Sequence, residues 1–109
     1  MYSVEGTTIT LTRGDTFEAH VMPITETGEE YVLQEGDTIR FAMKKNYKDE
    51  TPLILKNIDT DTLVLRIEPS ETKELSFGSY VYDIELTTAT GDLYTFITES
   101  SLIIAKEVH

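Results

Sequence analysis

Apolar and polar residues alternate with a period of two through most of this chain, in short stretches divided by Gly, Asp, Asn and Pro. In TTITLT (7–12), Ile9 and Leu11 alternate with threonines. DTFEAHVMPI (15–24) puts Phe17, Ala19 and Val21 on one face and Glu18, His20 and Met22 on the other. GDTIRFAMKK (36–45) points Ile39, Phe41 and Met43 inward against Arg40 and Lys44. LILKNI (53–58) follows a polar loop at 46–52, and TLVLRIE (62–68) offers Leu63, Leu65 and Ile67. The cleanest alternation is GSYVYDIELTT (78–88), where Tyr80, Tyr82, Ile84 and Leu86 share a face opposite Asp83 and Glu85. LYTFITE (93–99) and SLIIAKEV (101–108) read as two closing strands, and YVL (31–33) as a short extra one. About seven to nine strands with polar turns predict an all-β, antiparallel sandwich or barrel in one domain, 1–109.

One segment departs from that period. EPSETKELSFG (68–78) reads as a single helical turn near 70–75, with Ser70 as the N-cap and Lys73 where a capping box needs Glu or Gln. Gly78-x-Tyr80-x-Tyr82 then follows. In immunoglobulin-like sandwiches a tyrosine placed like Tyr80 bonds back to the upstream backbone as a tyrosine corner. An aromatic binding platform at Tyr80 and Tyr82 is disfavoured, because both share the core face of Ile84 and Leu86. TETGEEYV (25–32) and TATGDLYT (88–95) echo one another. Both place Gly fourth in a hairpin turn, which predicts repeated turn chemistry.

Composition narrows the picture. With 39% hydrophobic and 9% aromatic residues the chain is globular in character, and its 109 residues suit one core. No cysteine is present, so disulfides, thiolate nucleophiles and cysteine metal sites are excluded. Twenty Asp and Glu against nine Lys and Arg give a formal net charge of −11. That charge disfavours nucleic acid and anionic membranes as partners. MYSVEGTT lacks the basic and apolar regions of a signal peptide, and runs such as SLIIA are too short to span a bilayer.

Candidate chemistry is sparse. LTRGDTF (11–17) contains Arg13-Gly14-Asp15, the integrin-binding tripeptide, yet EGDTI (35–39) repeats Gly-Asp-Thr before another strand. The motif therefore reads as a turn that opens a strand, with Arg13 alone needing a separate account. Glu18 and His20 are same-face neighbours that read as a solvated pair, with no nucleophile for them to serve; His109 is the other histidine. Asn57, Asp59 and Asp61 alternate like the start of a calcium loop, but Thr62 stands where that loop needs Gly, so a turn is expected. Lys44, Lys45 and Lys48 form the one basic cluster, a solvated strand end or a contact for an acidic partner. Aromatics such as Tyr31, Tyr47 and Tyr94 are candidates to stack on a sugar. No catalytic, cofactor-binding or metal-ligating residue is expected.

The succession RGDTF, GDTIRFAMKK, IEPSETKEL, GSYVYDIEL and TGDLYTF resembles the small immunoglobulin-like domains of bacteriophage tails and baseplates. It is similar to the N-terminal domain of upper baseplate proteins of siphophages and prophages of Gram-positive bacteria. Pro69, Thr72 and Leu75 match that family's helical turn, and Gly78, Tyr80, Tyr82, Asp83, Ile84, Glu85 and Leu86 match its following strand. The matched motifs are structural. The resemblance implies an immunoglobulin-like sandwich without enzymatic activity or cofactor, a virion protein made in the bacterial cytoplasm. Its implied partners are copies of itself, as a homo-oligomer, and other tail or baseplate proteins. Family proteins often continue into further domains, so both a stand-alone protein and an excised domain fit. The reading from a different class is a carbohydrate-binding adhesive module.

Overall fold

The computed structural model describes residues 2–25 and 27–106. In chain order the strands are β1 (Tyr2–Glu5), β2 (Thr8–Thr12), β3 (Phe17–His20), β4 (Thr38–Lys44), β5 (Ile54–Ile58) and β6 (Val64–Ile67). One helical turn, α1 (Pro69–Thr72), precedes β7 (Gly78–Thr87) and β8 (Leu93–Ala105). They form a six-stranded sheet in the order β1-β2-β8-β7-β4-β5 and a two-stranded sheet of β3 and β6.

The alternation read from the sequence decides which faces meet. Ile39, Phe41 and Met43 on β4, with Tyr80, Tyr82, Ile84 and Leu86 on β7, are buried against Phe17, Leu65 and Ile67 of the second sheet in one shared core. Full burial of such side chains contributes about 1.5–3 kcal/mol each. Both open sides between the sheets are closed by side chains. On the β1 side, Tyr2 stacks edge-on against Phe17 at 4.8 Å, and its hydroxyl donates to Glu18 O at 2.7 Å. On the β5 side, Lys56 points inward and donates to Arg66 O on β6 at 2.5 Å. A lysine turned inward also blunts an edge strand against pairing with another chain.

Several expectations are corrected. The six-stranded sheet is mixed, because β2 runs parallel to β8, pairing Ile9 with Leu102 and Leu11 with Ile104. β1 follows no alternation that marks it, since all four of its residues are exposed. YVL forms no strand; an isolated bridge joins Ile24 to Glu30 instead. The two closing strands are one, β8, whose register against β7 slips between Tyr82 and Ile84 and again between Ile84 and Glu85. Each slip puts an extra residue into β8, which bends the strand and raises its twist. Glu99, with φ +27°, lies in the first bulge. Residues 107 and 108 of that segment, and His109, lie outside the described residues.

The helical turn begins two residues earlier than expected. Glu68 is the N-cap in place of Ser70, Pro69 takes the first helical position, and Glu71 Oε1 accepts from Glu68 N–H at 2.9 Å. Proline's fixed φ suits that position and its missing N–H costs nothing there. Beyond α1 the Tyr80 hydroxyl donates to Ser76 O at 2.6 Å, the bond of a tyrosine corner.

Candidate interaction surface

The two-stranded sheet is shorter than the sheet it faces, and this difference creates the main surface feature. β7 and β8 extend beyond the end of the two-stranded sheet, and the segment after β3 only partly covers them. Between them lies a groove of about 750 Å³. Pro23, Ile24 and Tyr31 form one wall, and Leu86, Tyr94 and Phe96 the other. Leu93, also lining it, is 63% exposed and Tyr94 48%. Apolar side chains held open to solvent in a concave site of this size are the usual makings of a binding surface.

The two echoed segments are the lips of this groove, and they share the same set of backbone and threonine hydrogen bonds. Thr25 N donates to Glu29 O at 2.7 Å and Gly28 N to Thr25 O at 2.9 Å. Thr88 N donates to Asp92 O and Gly91 N to Thr88 O, both at 2.9 Å. Thr25 Oγ1 accepts from Glu29 N (3.2 Å), as Thr88 Oγ1 does from Asp92 N (3.1 Å). The hydroxyl pairs Thr25–Thr27 (2.9 Å) and Thr88–Thr90 (3.0 Å) complete the repeat. Gly28 and Gly91 take φ +85° and +92°, a conformation that a Cβ disfavours, so the repeated glycine is a backbone requirement.

Tyr31 anchors the first lip. Its hydroxyl donates to the buried Asp37 carboxylate at 3.0 Å, and Gln34 N donates to the same oxygen at 2.8 Å. Loss of solvent, then the bond to Asp37, push the Tyr31 hydroxyl above the ordinary tyrosine range. Tyr47 stands at the far end of β4, so the structure gathers Tyr31 and Tyr94 but leaves Tyr47 apart.

Arg13-Gly14-Asp15 is built into the molecule. Gly14 N donates to the hydroxyl of the fully buried Thr72 at 3.0 Å, and Asp15 N closes the turn on Thr12 O at 3.0 Å. The Arg13 guanidinium lies 4.1 Å from the Phe77 ring centroid and donates to Leu75 O at 3.4 Å. Arg13 thereby ties the β2–β3 corner to the crossover after α1, which is the separate account it needed.

Glu18 pairs across the second sheet with Arg66 at 2.7 Å, while His20 stands exposed at the end of β3 opposite Val64. Asp59 Oδ1 accepts from Asp61 N at 2.7 Å, and Leu63 N donates to Asp59 O at 2.8 Å, the bonds of a turn. Among the described residues no three carboxylates or histidines converge as a metal site would require. Tyr80 and Tyr82 are buried, and the Tyr82 hydroxyl donates to Thr7 O. Lys45 lies 4.6 Å from the Tyr80 ring centroid and donates to Ser79 O at 3.2 Å.

The groove itself escaped the sequence reading. Its walls depend on two bulges and on a lip without regular strand, and neither has a periodic signature. The echoed turns were the available signal. The chain matches no family model and no curated protein.

Proposed function

We infer that this chain is a non-enzymatic structural or assembly module of a phage or prophage tail or baseplate, acting through protein–protein contacts. The observation that carries the reading is the open apolar groove between the two threonine turns, a surface made for another molecule. The finer fold reading is an immunoglobulin-like sandwich. In support, β8, β7 and β4 stand in the order of the G, F and C strands, with β5 beside them, and β3 pairs with β6 in the facing sheet. The tyrosine-corner bond of Tyr80 agrees. The β1 hairpin and the parallel β2–β8 pair are additions to that pattern. The site of action under this reading is the virion, reached from the bacterial cytoplasm, with neither nucleic acid nor membrane as partner. No helix among the described residues is long and apolar enough to cross a membrane.

Co-expression with tail and baseplate proteins tests the reading. A stoichiometric complex that Leu93→Glu abolishes is expected. Failure of every such protein to bind, or binding indifferent to Leu93→Glu, counts against it.

One observation favours the carbohydrate reading as second choice. Tyr31 and Tyr94 line the same groove beside Thr25, Thr27 and Thr95, an arrangement of rings and hydroxyls suited to a sugar. Glycan-array binding lost in Tyr94→Ala and retained in Tyr47→Ala would establish it; silence across the array dismisses it.

A further inference from the structure

The molecule is electrically and chemically polarised along its length. Its extents are 46 × 27 × 24 Å, and the 13-residue β8, at about 3.3 Å per residue, is the strand that approaches the greatest of them. β4 and β7 pair Thr38 with Thr87 at one end and Lys44 with Val81 at the other, which assigns each loop to a pole. The groove pole carries Glu29, Glu30, Glu35, Asp59, Asp61 and Asp92. Among the described residues no lysine or arginine belongs to the segments there, 21–37, 59–63 and 86–96. The opposite pole carries Arg13, Lys44, Lys45, Lys48, Lys73 and Lys106, interspersed with Asp15, Asp49, Glu50 and Glu74. The three cations between the poles are engaged locally: Arg40 with Glu85, Lys56 with Glu71, Arg66 with Glu18 and Glu68.

The cationic pole presents a shaped tip. Asn46 N donates to Asp49 Oδ2 and Asp49 N to Asn46 O, both at 3.0 Å, closing a tight turn whose corner residues are Tyr47 and Lys48. Tyr47 is 58% exposed, and the Lys48 ammonium sits 6.0 Å from its ring centroid. Leu53, bonded to Met43 O beside this turn, is half exposed as well.

We propose that the Tyr47–Lys48 tip of one copy docks into the groove between the threonine turns of the next, joining copies head to tail. This rests on the assembly reading and names the groove's occupant. The groove is lined by apolar rings and chains with threonine hydroxyls, and the charged residues of the segments around it are all carboxylates among the described residues, which suits an aromatic or aliphatic group carrying a cation. The tip is such a group, held ready by its own turn. The two surfaces lie at opposite ends, so the contact is heterologous and repeats into a ring or a filament. It also brings the acidic pole of one copy against the cationic pole of the next, which orients copies whose overall charge is repulsive.

The test is a mixing experiment. Wild type at about 1 mM is expected to sediment above monomer mass, as for a contact with Kd near 0.1 mM. Leu93→Glu and the double variant Tyr47→Ala/Lys48→Glu each weaken self-association at least about tenfold, with melting curves showing that both fold. Mixed together, they form a 1:1 complex that grows no further, because the intact tip of one finds the intact groove of the other. Raising salt from about 0.02 M to about 0.5 M weakens the wild-type contact, since charge attraction is screened. A monomeric wild type at about 1 mM overturns the proposal, as does a mixture that stays monomeric or a single variant that still dimerises. Association strengthened by salt overturns it too. A monomer that still forms a Leu93-dependent complex with a tail protein sinks the self-contact and leaves the assembly reading standing. Self-association without any such complex does the reverse.

Discussion

Lys56 reaches from β5 to Glu71 on α1, its Nζ 2.6 Å from Glu71 Oε1, while the same ammonium donates to Arg66 O at 2.5 Å. The same Glu71 oxygen accepts the Glu68 N–H that opens the helical turn. One carboxylate thus joins the helix start to the edge of the larger sheet, and the lysine that bonds it also holds the second sheet.

Breaking this bracket has a measurable cost. Both side chains keep only about a quarter of their exposure, 25% for Lys56 and 26% for Glu71, so the pair is shielded more than a surface ion pair. Lys56→Ala is expected to cost about 1–3 kcal/mol, the range for charge-assisted bonds. For a domain of this size that lowers Tm by roughly 5–15 °C. Glu71→Ala costs a similar amount, and the double variant little more than either single one, because the bonds are shared. Additive losses in thermal melts would show that the bracket does not act as a unit.

The Arg13 corner makes a second prediction. Arg13→Lys keeps the charge but loses the planar guanidinium that covers Phe77, so it should destabilise nearly as much as Arg13→Ala, about 1–2 kcal/mol. Thr72→Val deprives the Gly14 N–H of its acceptor in a buried setting and should cost about 1–3 kcal/mol. Asp15→Glu should weaken the turn, and no variant at this corner should alter adhesion of integrin-bearing cells. Arg13→Lys with wild-type stability in urea unfolding would sink the clamp.

The corner also shows where the sequence was legible. Gly-Asp-Thr used twice marked Arg13-Gly14-Asp15 as a turn, and period-two alternation marked the inner faces of β4 and β7, because local backbone geometry alone decides both. The Tyr80 bond to Ser76 was legible for the same reason: its partner is four residues away. What depends on distant pieces was not. The parallel β2–β8 pair joins residues more than ninety positions apart in the chain. The two slips in β8 answer to the spacing of β7, so LYTFITE and SLIIAKEV read as separate strands when each was taken alone. Ser70 lost the cap to Glu68 because Glu71 was within reach of the Glu68 N–H, a pairing visible in the spelling E-P-S-E once Glu is allowed as the cap.

Asp83 predicts a pH dependence. It faces outward from β7, opposite Ala42. Burial raises its pKa first and the neighbouring Glu85 second, against smaller lowering by Lys44 and Arg40. A raised folded pKa means that the native state holds the proton more tightly than the unfolded chain. That stabilisation is full below the unfolded value, ordinarily 3.8, and is lost as pH rises through the folded value. At neutral pH the ionised Asp83 is therefore a burden. Asp83→Asn should raise Tm at pH 7, with the gain shrinking as pH falls towards 3. A gain that grows on acidification contradicts this assignment.

Gly36 has φ +90°, and a Cβ built on it would lie 2.6 Å from Ala89 Cβ, which belongs to the second threonine turn. The absence of a side chain at 36 lets the segment before β4, which carries Tyr31 of the first wall, pack against the turn that leads to Leu93 and Tyr94 of the second. Gly36→Ala meets two penalties at once, the left-handed backbone and the overlap, together about 2–4 kcal/mol. Ala89→Gly in the same chain removes the overlap but leaves the backbone penalty, so it should recover part of the loss and no more. Ala89→Gly alone adds only backbone freedom in a turn and should cost less than about 1 kcal/mol. Thermal melts of the three variants separate these contributions. The Gly36→Ala variant should also lose whatever ligand the groove takes, because its walls are forced apart, while the double variant regains binding. Binding unchanged in a folded Gly36→Ala protein would show that the Gly36–Ala89 contact does not set the groove.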